Sequence, residues 1–415
     1  MNINLYDLLK CLSSAQDLVN KELTNHHHQV AYLSYRIAEH INLSYEEKRN
    51  IILAGLLHDI GALAMNESLA EIEDSSATAY NHAYVGSMLL SEFEPLKQAA
   101  ELIKYHHHPW NAGTPAHNIP IGSHILHIAD RICVLMRPEE NILLQVPQLV
   151  EHIKEKRGTQ FSPELVDCVE ELQHLEYIWL DLMYNYPMNQ LDYPWISSLA
   201  ALNIDEIIDF SMIFSRIIDF RSSFTANHSA GVAKTAERLA QLFGYSEHEC
   251  KMMLIAGYLH DLGKLAIDNS ILEKPSGLTV KEYHIVKSHP FYTYRILNVI
   301  EGFDIISKWA AYHHEKPDGS GYPFHLDDSN LPLGSKIVAV ADVFTAITEN
   351  RPYRKGMSDE ACISILRNLA AENALCSNVV FVLLDHFSEI RKICADAQIK
   401  AGIEYARFKD SLKHK

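Results

Sequence analysis

The stretch His260-Asp-Leu-Gly-Lys264 closes an apolar run, Leu254-Ile-Ala-Gly-Tyr-Leu259. The run predicts a buried helix that ends at the adjacent pair His260 and Asp261. Neighbouring residues on a helix point about 100° apart, so this pair cannot share one ligand direction. His260 and Asp261 can hold two metal ions, or one ion together with a group that bridges to it. A lone His-Asp pair is a weak signal, because polar neighbours at a helix end are commonly a cap.

More residues of the same types surround the pair in sequence: His228, His289, the doublet His313-His314, and Asp342. Imidazole and carboxylate ligands suit Mn, Fe, Co, Ni or Zn, whereas Mg and Ca prefer oxygen ligands. The seven side chains together exceed what one tetrahedral structural zinc needs. Two ions that share a bridging carboxylate would use them all.

The order of these residues, together with His313-His-Glu-Lys-Pro-Asp-Gly-Ser-Gly-Tyr-Pro323, resembles the HD-GYP family over about residues 205–400. The resemblance implies a metal-dependent phosphodiesterase of a bacterial cyclic dinucleotide, chiefly cyclic di-GMP, with 3′3′-cyclic GMP-AMP as the alternative. In this family a metal-bound hydroxide attacks phosphorus and releases the linear dinucleotide, and in some cases the mononucleotide.

The resemblance also implies roles for single residues. Asp261 bridges two divalent ions, with Fe or Mn favoured and Ni, Co or Zn as alternatives. One ion has His228, His260 and Asp342, and the other has His289, His313 and His314. The spacing adds further roles: Lys264 lies three residues after Asp261, on the same predicted helical face, so its ammonium can reach a phosphate bound at the metals and assist catalysis. The predicted substrate contacts are Lys264, Tyr322, Arg351 and Arg354. Some members hold a third ion with a Glu where this chain has Phe224, so two ions are predicted in this domain.

The first half of the chain repeats the pattern. Subtracting 202 from His260 gives His58, which Asp59 follows, and the same offset takes His228 to His26. The chain is therefore predicted to be a tandem repeat of one domain. The candidate metal site of the first copy consists of His26, His58, Asp59, His82, His106, His107 and Asp130, with His27, His28, His108, His124 and His127 as spare histidines nearby.

The first copy keeps every predicted metal ligand but loses the predicted substrate groups. Ala62 replaces Lys264, and His108-Pro-Trp-Asn-Ala-Gly113 replaces the Gly-Tyr-Pro turn. Three interpretations remain open: a metal-binding regulatory copy, which is favoured, a second active phosphohydrolase, or a metal-free remnant.

The predicted fold class is all-α, with two tandem HD-domain helical bundles, the second of HD-GYP type. The predicted domains are residues 1–186 and 204–415, and the apolar segment 187–203 forms a packed junction between them. Helices in the second domain are predicted over 204–220, 224–243, 246–261, 279–299, 303–314, 334–349 and 358–371.

Composition narrows the partners. The net charge of −17 argues against binding to bulk nucleic acid, and no apolar stretch reaches the ~20 residues of a membrane span. Seven scattered Cys predict reduced thiols in a cytoplasmic protein. Separately, the protein is expected to be a monomer or a homodimer. By resemblance, signalling proteins such as diguanylate cyclases can dock on the Gly-Tyr-Pro turn. Two alternative functions are a non-hydrolysing cyclic dinucleotide sensor and a nucleotide phosphohydrolase of the wider HD superfamily.

The three interpretations of the first copy make different predictions for Asp59→Ala. If the first copy binds metal, the bound metal per chain falls in this variant, because Asp59 is the predicted bridging ligand. Elemental analysis of the purified protein measures this. An unchanged metal count would indicate a remnant.

Overall fold

The computed structural model describes residues 1–19, 25–65, 77–112, 119–184, 201–220, 227–274, 276–349 and 356–413. The described part of the chain is predominantly helical, with two strands of three residues each, which confirms the predicted all-α class. Contacts divide it into two compact units, Asn4–Ala200 and a second unit of Met1–Ile3 with Ala201–Lys415. In the second unit, strand β1 (Asn2–Asn4) pairs with β2 (Ala201–Asn203) in a two-stranded sheet. Most of the predicted junction 187–203 lies outside the described residues, so the packed junction stays a prediction.

The first unit is a bundle whose central helix begins at the first predicted ligand. Helix α2 starts at His26 and packs on α3 and α7. The helices are α1 (Leu5–Val19), α2 (His26–His40), α3 (Tyr45–Leu57), α4 (Ile60–Met65), α5 (Ala77–Leu90), α6 (Lys97–Lys104), α7 (Ile121–Leu135), α8 (Ile142–Glu155), α9 (Pro163–Leu172) and α10 (Glu176–Met183).

The second unit repeats this plan around α12, which starts at His228 and packs on α13, α18 and α21. Its helices are α11 (Ile204–Phe220), α12 (His228–Leu242), α13 (Glu247–Leu259), α14 (Asn269–Leu272), α15 (Val280–Val286), α16 (His289–Leu297), α17 (Asp304–Ala311), α18 (Leu333–Thr348), α19 (Asp359–Ala371), α20 (Ser377–Asp385) and α21 (Phe387–Lys413). No helix in the described ranges is both long and apolar enough to cross a membrane.

The predicted helix 279–299 is wrong in one respect, because the structure divides it into α15 and α16. Pro290 has no N–H, and in a continuous helix its ring would clash with the carbonyl of Val286. The helix therefore ends at Val286 and restarts at His289. This break frees the Val286 carbonyl, which the site uses.

Helices α8 and α21 are among those that were not predicted. In α21, which is 27 residues long, the fully buried apolar residues Ile390 and Cys394 are sparse, so its sequence pattern is weak. Cys394 lies on the side that packs against α12, where a Cβ on Gly231 would lie 3.2 Å from its Sγ. Tertiary packing, rather than a strong local pattern, therefore accounts for this helix.

Both bundles place a glycine where the two central helices cross. A Cβ on Gly257 would lie 2.5 Å from Ala233 Cα, and one on Gly55 would lie 2.6 Å from Ala31 Cα. Such distances leave no room for a methyl group. The apolar run before each His-Asp pair therefore needs this glycine for close helix packing.

We expect Gly257→Ala to lower the local stability of α12 and α13 by about 1–3 kcal/mol, the usual cost of overpacking a core. Amide hydrogen exchange in these helices measures the effect. Gly277→Ala is the matched control, because a Cβ at Gly277 would meet nothing within 4 Å. Equal protection in both variants would contradict the prediction.

Candidate metal centre

The seven predicted side chains of the second domain converge at helix ends. His228 opens α12, and α13 ends at Leu259, directly before His260 and Asp261, as predicted. His289 opens α16, the doublet follows α17, and Asp342 lies within α18. Side chains that are far apart in sequence thus meet in one buried place.

The donor atoms form two groups that could each hold a metal ion. In each of the groups His228–His260–Asp261 and His289–His313–His314, all donor atoms lie within 4.8 Å of one another. Asp261 belongs to the first group and also faces the second, with Oδ2 3.2 Å from His260 Nε2 and Oδ1 3.3 Å from His289 Nε2. A bridging carboxylate between two ions needs this placement.

Helix ends orient the imidazole rings. The last carbonyls of a helix lack an amide partner. His260 Nδ1 lies 2.8 Å from the Gly257 carbonyl, and His313 Nδ1 lies 2.7 Å from the Ala310 carbonyl. His289 Nδ1 lies 2.7 Å from the Val286 carbonyl that Pro290 frees. A carbonyl only accepts, so each Nδ1 donates its proton to the carbonyl and each Nε2 points inward, where a neutral ring offers a lone pair to a metal ion.

These lone pairs face each other. Nε2 of His289 lies 3.3 Å from Nε2 of His313. Burial lowers the pKa of His289 to about 3 and that of His313 to about 4, so both rings are neutral near pH 7. Nε2 of His260 is buried and makes no hydrogen bond within the described part of the chain. A cation between these nitrogens would relieve the repulsion and satisfy the lone pairs, so the residues fit a metal ion.

The two carboxylates stay ionised despite their burial. Burial by itself raises the pKa of Asp342. The hydrogen bond between His228 Nε2 and Asp342 Oδ1, 3.0 Å apart, outweighs burial and holds this pKa well below its usual range. His260 and Lys264 likewise lower the pKa of Asp261 against the effect of burial. Both carboxylates are therefore in the form that binds metal.

Lys264 lies on a short 3₁₀ helix, Leu262–Ala266, that follows the His-Asp pair. Its Nζ donates to Asp261 Oδ2 at 2.5 Å. The predicted proximity of Lys264 to Asp261 is confirmed, although α13 ends before them and they do not share one helix face. The ammonium is held at the centre of the site.

The turn that carries Tyr322 is anchored to the doublet. The buried Glu315 accepts hydrogen bonds from the backbone N–H groups of Phe324 and Leu326, at 2.7 and 2.9 Å. The Tyr322 ring lies 4.9 Å from that of His314. A Cβ on Gly321 would lie 2.4 Å from Lys316 N. This glycine therefore serves the packing of the turn on its own backbone.

The first domain assembles its cluster with matching distances. Asp59 Oδ2 lies 3.1 Å from His58 Nε2, and Asp59 Oδ1 lies 3.3 Å from His82 Nε2. Asp130 Oδ1 lies 3.1 Å from His26 Nε2. The donor atoms form three overlapping groups, Asp59–His82–His106–His107, His26–His58–Asp130 and His27–His58–Asp59. All seven predicted residues of the first domain therefore meet, and His27 joins them.

Some predicted residues lie outside the described part of the chain, namely Phe224, Arg351 and Arg354. Their roles stay predictions. Sequence reasoning missed the buried Glu349, whose Oε2 lies 3.6 Å from His228 Nδ1. Its position seven residues after Asp342, directly after the last residue of α18, was the available signal.

Sequence reasoning also missed Thr293, which connects α16 to the His-Asp turn. Its buried hydroxyl donates to the His260 carbonyl at 3.0 Å and accepts from Gly263 N–H at 2.9 Å. A Cβ on Gly263 would lie 1.9 Å from the His289 carbonyl, so the turn and α16 are in direct contact. Thr293 thereby fixes the pair relative to His289.

We expect Thr293→Val to weaken metal binding by roughly 10–100-fold, as outer-shell substitutions commonly do. Valine keeps the shape of the side chain but removes both hydrogen bonds. A titration with a competing chelator measures the change. Thr293→Ser, which keeps the hydroxyl, should bind metal as the unaltered protein does, and equal weakening in both variants would contradict the role of the hydroxyl.

Comparison with known proteins identifies both domains. Residues 23–135 and residues 212–375 each match a family model described as an HD domain. The chain is 31% identical over 400 residues to the 3′3′-cGAMP-specific phosphodiesterase 1 of Vibrio cholerae, covering 92% of each chain. It is 37% identical over 154 residues to the cyclic di-GMP phosphodiesterase response regulator RpfG of Xanthomonas campestris, which covers 37% of this chain and 41% of the relative.

A solved structure shares the fold. The crystal structure of a cyclic GMP-AMP-specific phosphodiesterase from V. cholerae matches with a TM-score of 0.65 and 22% identity, covering 94% of this chain and 98% of that one. This likeness supports the tandem helical architecture. With two HD domains and a relative that is similar along nearly its whole length, the chain belongs to the HD-GYP-type phosphodiesterases with tandem HD domains.

Proposed function

We propose that this protein hydrolyses 3′3′-cyclic GMP-AMP to the linear dinucleotide, and that the second domain carries the reaction. The supporting observation is the 31% identity, over 92% of both chains, to a phosphodiesterase specific for that compound. The second domain is favoured because it combines the His/Asp centre with Lys264 and the Gly-Tyr-Pro turn, whereas the first domain has Ala62 in place of the lysine.

Cyclic di-GMP is the second candidate substrate. The match to RpfG, 37% identical over 154 residues, supports it. The two compounds differ in one base, so they share the phosphodiester chemistry. Arg351 and Arg354 are our proposed contacts to phosphate or to guanine edges, which suit the planar guanidinium fork.

The second domain is proposed to hold two divalent ions. His228, His260 and Asp342 would bind one, His289, His313 and His314 the other, and Asp261 would bridge them. Divalent ions in such a site lower the pKa of water to about 7 and neutralise phosphoryl oxygens. Fe and Mn are the preferred candidates for these ions, because imidazole and carboxylate ligands suit both metals.

Chain residues supply the remaining functions. The Lys264 ammonium lies on the Oδ2 side of Asp261, where it can bind a non-bridging phosphate oxygen. Tyr322 stacks beside His314 and forms a wall for the substrate. Because the protein as a whole carries a net charge of −17, these local cations must attract the anionic substrate.

The first domain is proposed to bind metal without hydrolysing the dinucleotide and to regulate the second. Its seven matching ligands support metal binding, and its lack of the lysine and of the Gly-Tyr-Pro turn argues against hydrolysis. Docking of signalling proteins on the Gly-Tyr-Pro turn and a cytoplasmic location are part of the same proposal.

Chromatography of products after incubation of Mn- or Fe-loaded protein with each cyclic dinucleotide tests the proposal. We expect linear dinucleotide from 3′3′-cyclic GMP-AMP at a higher rate than from cyclic di-GMP. Asp261→Ala should lower the rate by at least about 100-fold, because a direct ligand matters more than the outer-shell partners that cost roughly 10–100-fold.

Asp59→Ala is the matched control, since it alters the equivalent carboxylate of the first domain. It should keep hydrolysis. If Asp59→Ala loses hydrolysis while Asp261→Ala keeps it, catalysis lies in the first domain. Intact substrate with retained binding in the unaltered protein would indicate a sensor.

A further inference from the structure

We propose that His27 is an additional metal ligand of the first domain, in the place that the Lys264 ammonium occupies in the second. The proposal rests on the metal binding proposed above for the first domain. It assigns to one histidine the change that separates the two centres.

His27 is buried within the cluster. It is the second residue of α2, directly after His26, and only 1% of it is exposed. Its Nε2 lies 3.7 Å from Asp59 Oδ2, and its donor atom lies within 4.8 Å of those of His58 and Asp59. Its ring centroid lies 5.3 Å from that of His58. The side chain therefore points into the centre from a helix start.

The same carboxylate oxygen has a different neighbour in each domain. Oδ2 of Asp59 and Oδ2 of Asp261 correspond, since they lie 3.1 Å and 3.2 Å from the Nε2 atoms of His58 and His260. In the second domain Lys264 Nζ lies 2.5 Å from this oxygen. In the first domain Ala62 cannot reach it, and the imidazole of His27 approaches it instead.

The residue that corresponds to His27 in the second domain points elsewhere. The offset of 202 takes His27 to Ser229. The Ser229 hydroxyl donates to Asp219 Oδ1 at 2.8 Å, and its N–H donates to Asp219 Oδ2 at 3.2 Å. Position 229 thus serves a buried serine–aspartate pair, while position 27 serves the metal cluster. The two substitutions, at 62 and at 27, occur together at one oxygen.

The chemistry of the two groups differs. An ammonium has no lone pair, repels a nearby cation and attracts phosphate. A neutral imidazole offers a lone pair to Mn, Fe, Co, Ni or Zn and carries no charge that would attract phosphate. Replacing Lys with His at this oxygen therefore adds a ligand and removes a phosphate-binding cation. The eight donors of the first domain favour a closed metal site, whereas catalytic sites keep an open position.

Cobalt titration of the full-length apoprotein tests the proposal, with the visible absorption spectrum as the readout. Imidazole ligands set the Co²⁺ ligand field, so the signal does not depend on hydrolysis. The Co²⁺ bound in the first domain is identified as the part that Asp59→Ala abolishes. We expect His27→Ala to weaken the binding of this Co²⁺ by at least about 10-fold and to shift the absorption bands of the bound Co²⁺. His28→Ala, at the partly buried neighbouring histidine, is the matched control and should titrate as the unaltered protein does.

His27→Gln keeps a polar side chain of similar size, so it separates ligand loss from a packing defect. Circular dichroism verifies folding of each variant. Suppose that Asp59→Ala lowers the bound Co²⁺. If His27→Ala and His27→Gln then show the same Co²⁺ affinity and spectrum as His28→Ala, the assignment of His27 is overturned. Unchanged Co²⁺ binding in Asp59→Ala would overturn the underlying metal site itself.

Discussion

The hydrogen bond between a histidine Nδ1 and the carbonyl three residues earlier, at a helix end, is the interaction on which both centres depend. His58 and His106 in the first domain repeat it with the Gly55 and Ile103 carbonyls, at 2.9 and 2.7 Å. A carbonyl in the last turn of a helix can accept a further hydrogen bond, and the ring supplies its proton. Nδ1 is thereby committed to the carbonyl, and Nε2 is held in one direction, where the neutral form of the ring has its lone pair. The bundle then only has to bring the helix ends together.

Gathering so many polar groups in a buried place is costly unless they are satisfied. The neutral imidazoles of His289 and His313 have nitrogens 3.3 Å apart. Together with the buried carboxylate of Asp261 and the half-buried one of Asp342, they leave a centre rich in lone pairs and negative charge. Cations in the centre therefore stabilise the fold by satisfying these groups. In the second domain the Lys264 ammonium supplies one of them at Asp261. The first domain has no lysine at this position, and an imidazole takes its place beside Asp59.

Much of the fold and of the candidate site could be predicted, because the apolar period and the repeat offset are local features of the chain. The end of α13 before His260 and the all-α class are examples. The helix 279–299 was wrong because the apolar period continues across Pro290, and the period carries no information on the carbonyl that proline frees. Helix α21 was missed because few of its residues are buried and they are widely spaced.

The sequence by itself determined the residue types, their order, the repetition and the family, because these depend on spacing along the chain. Only the tertiary structure decided which histidine lies beside which carboxylate oxygen. His27 stood in the sequence as one spare histidine among several, and Glu349 and Thr293 gave no strong signal. Their roles depend on distances between helices that are far apart in the chain. Burial and hydrogen bonding set those distances only when the whole bundle packs.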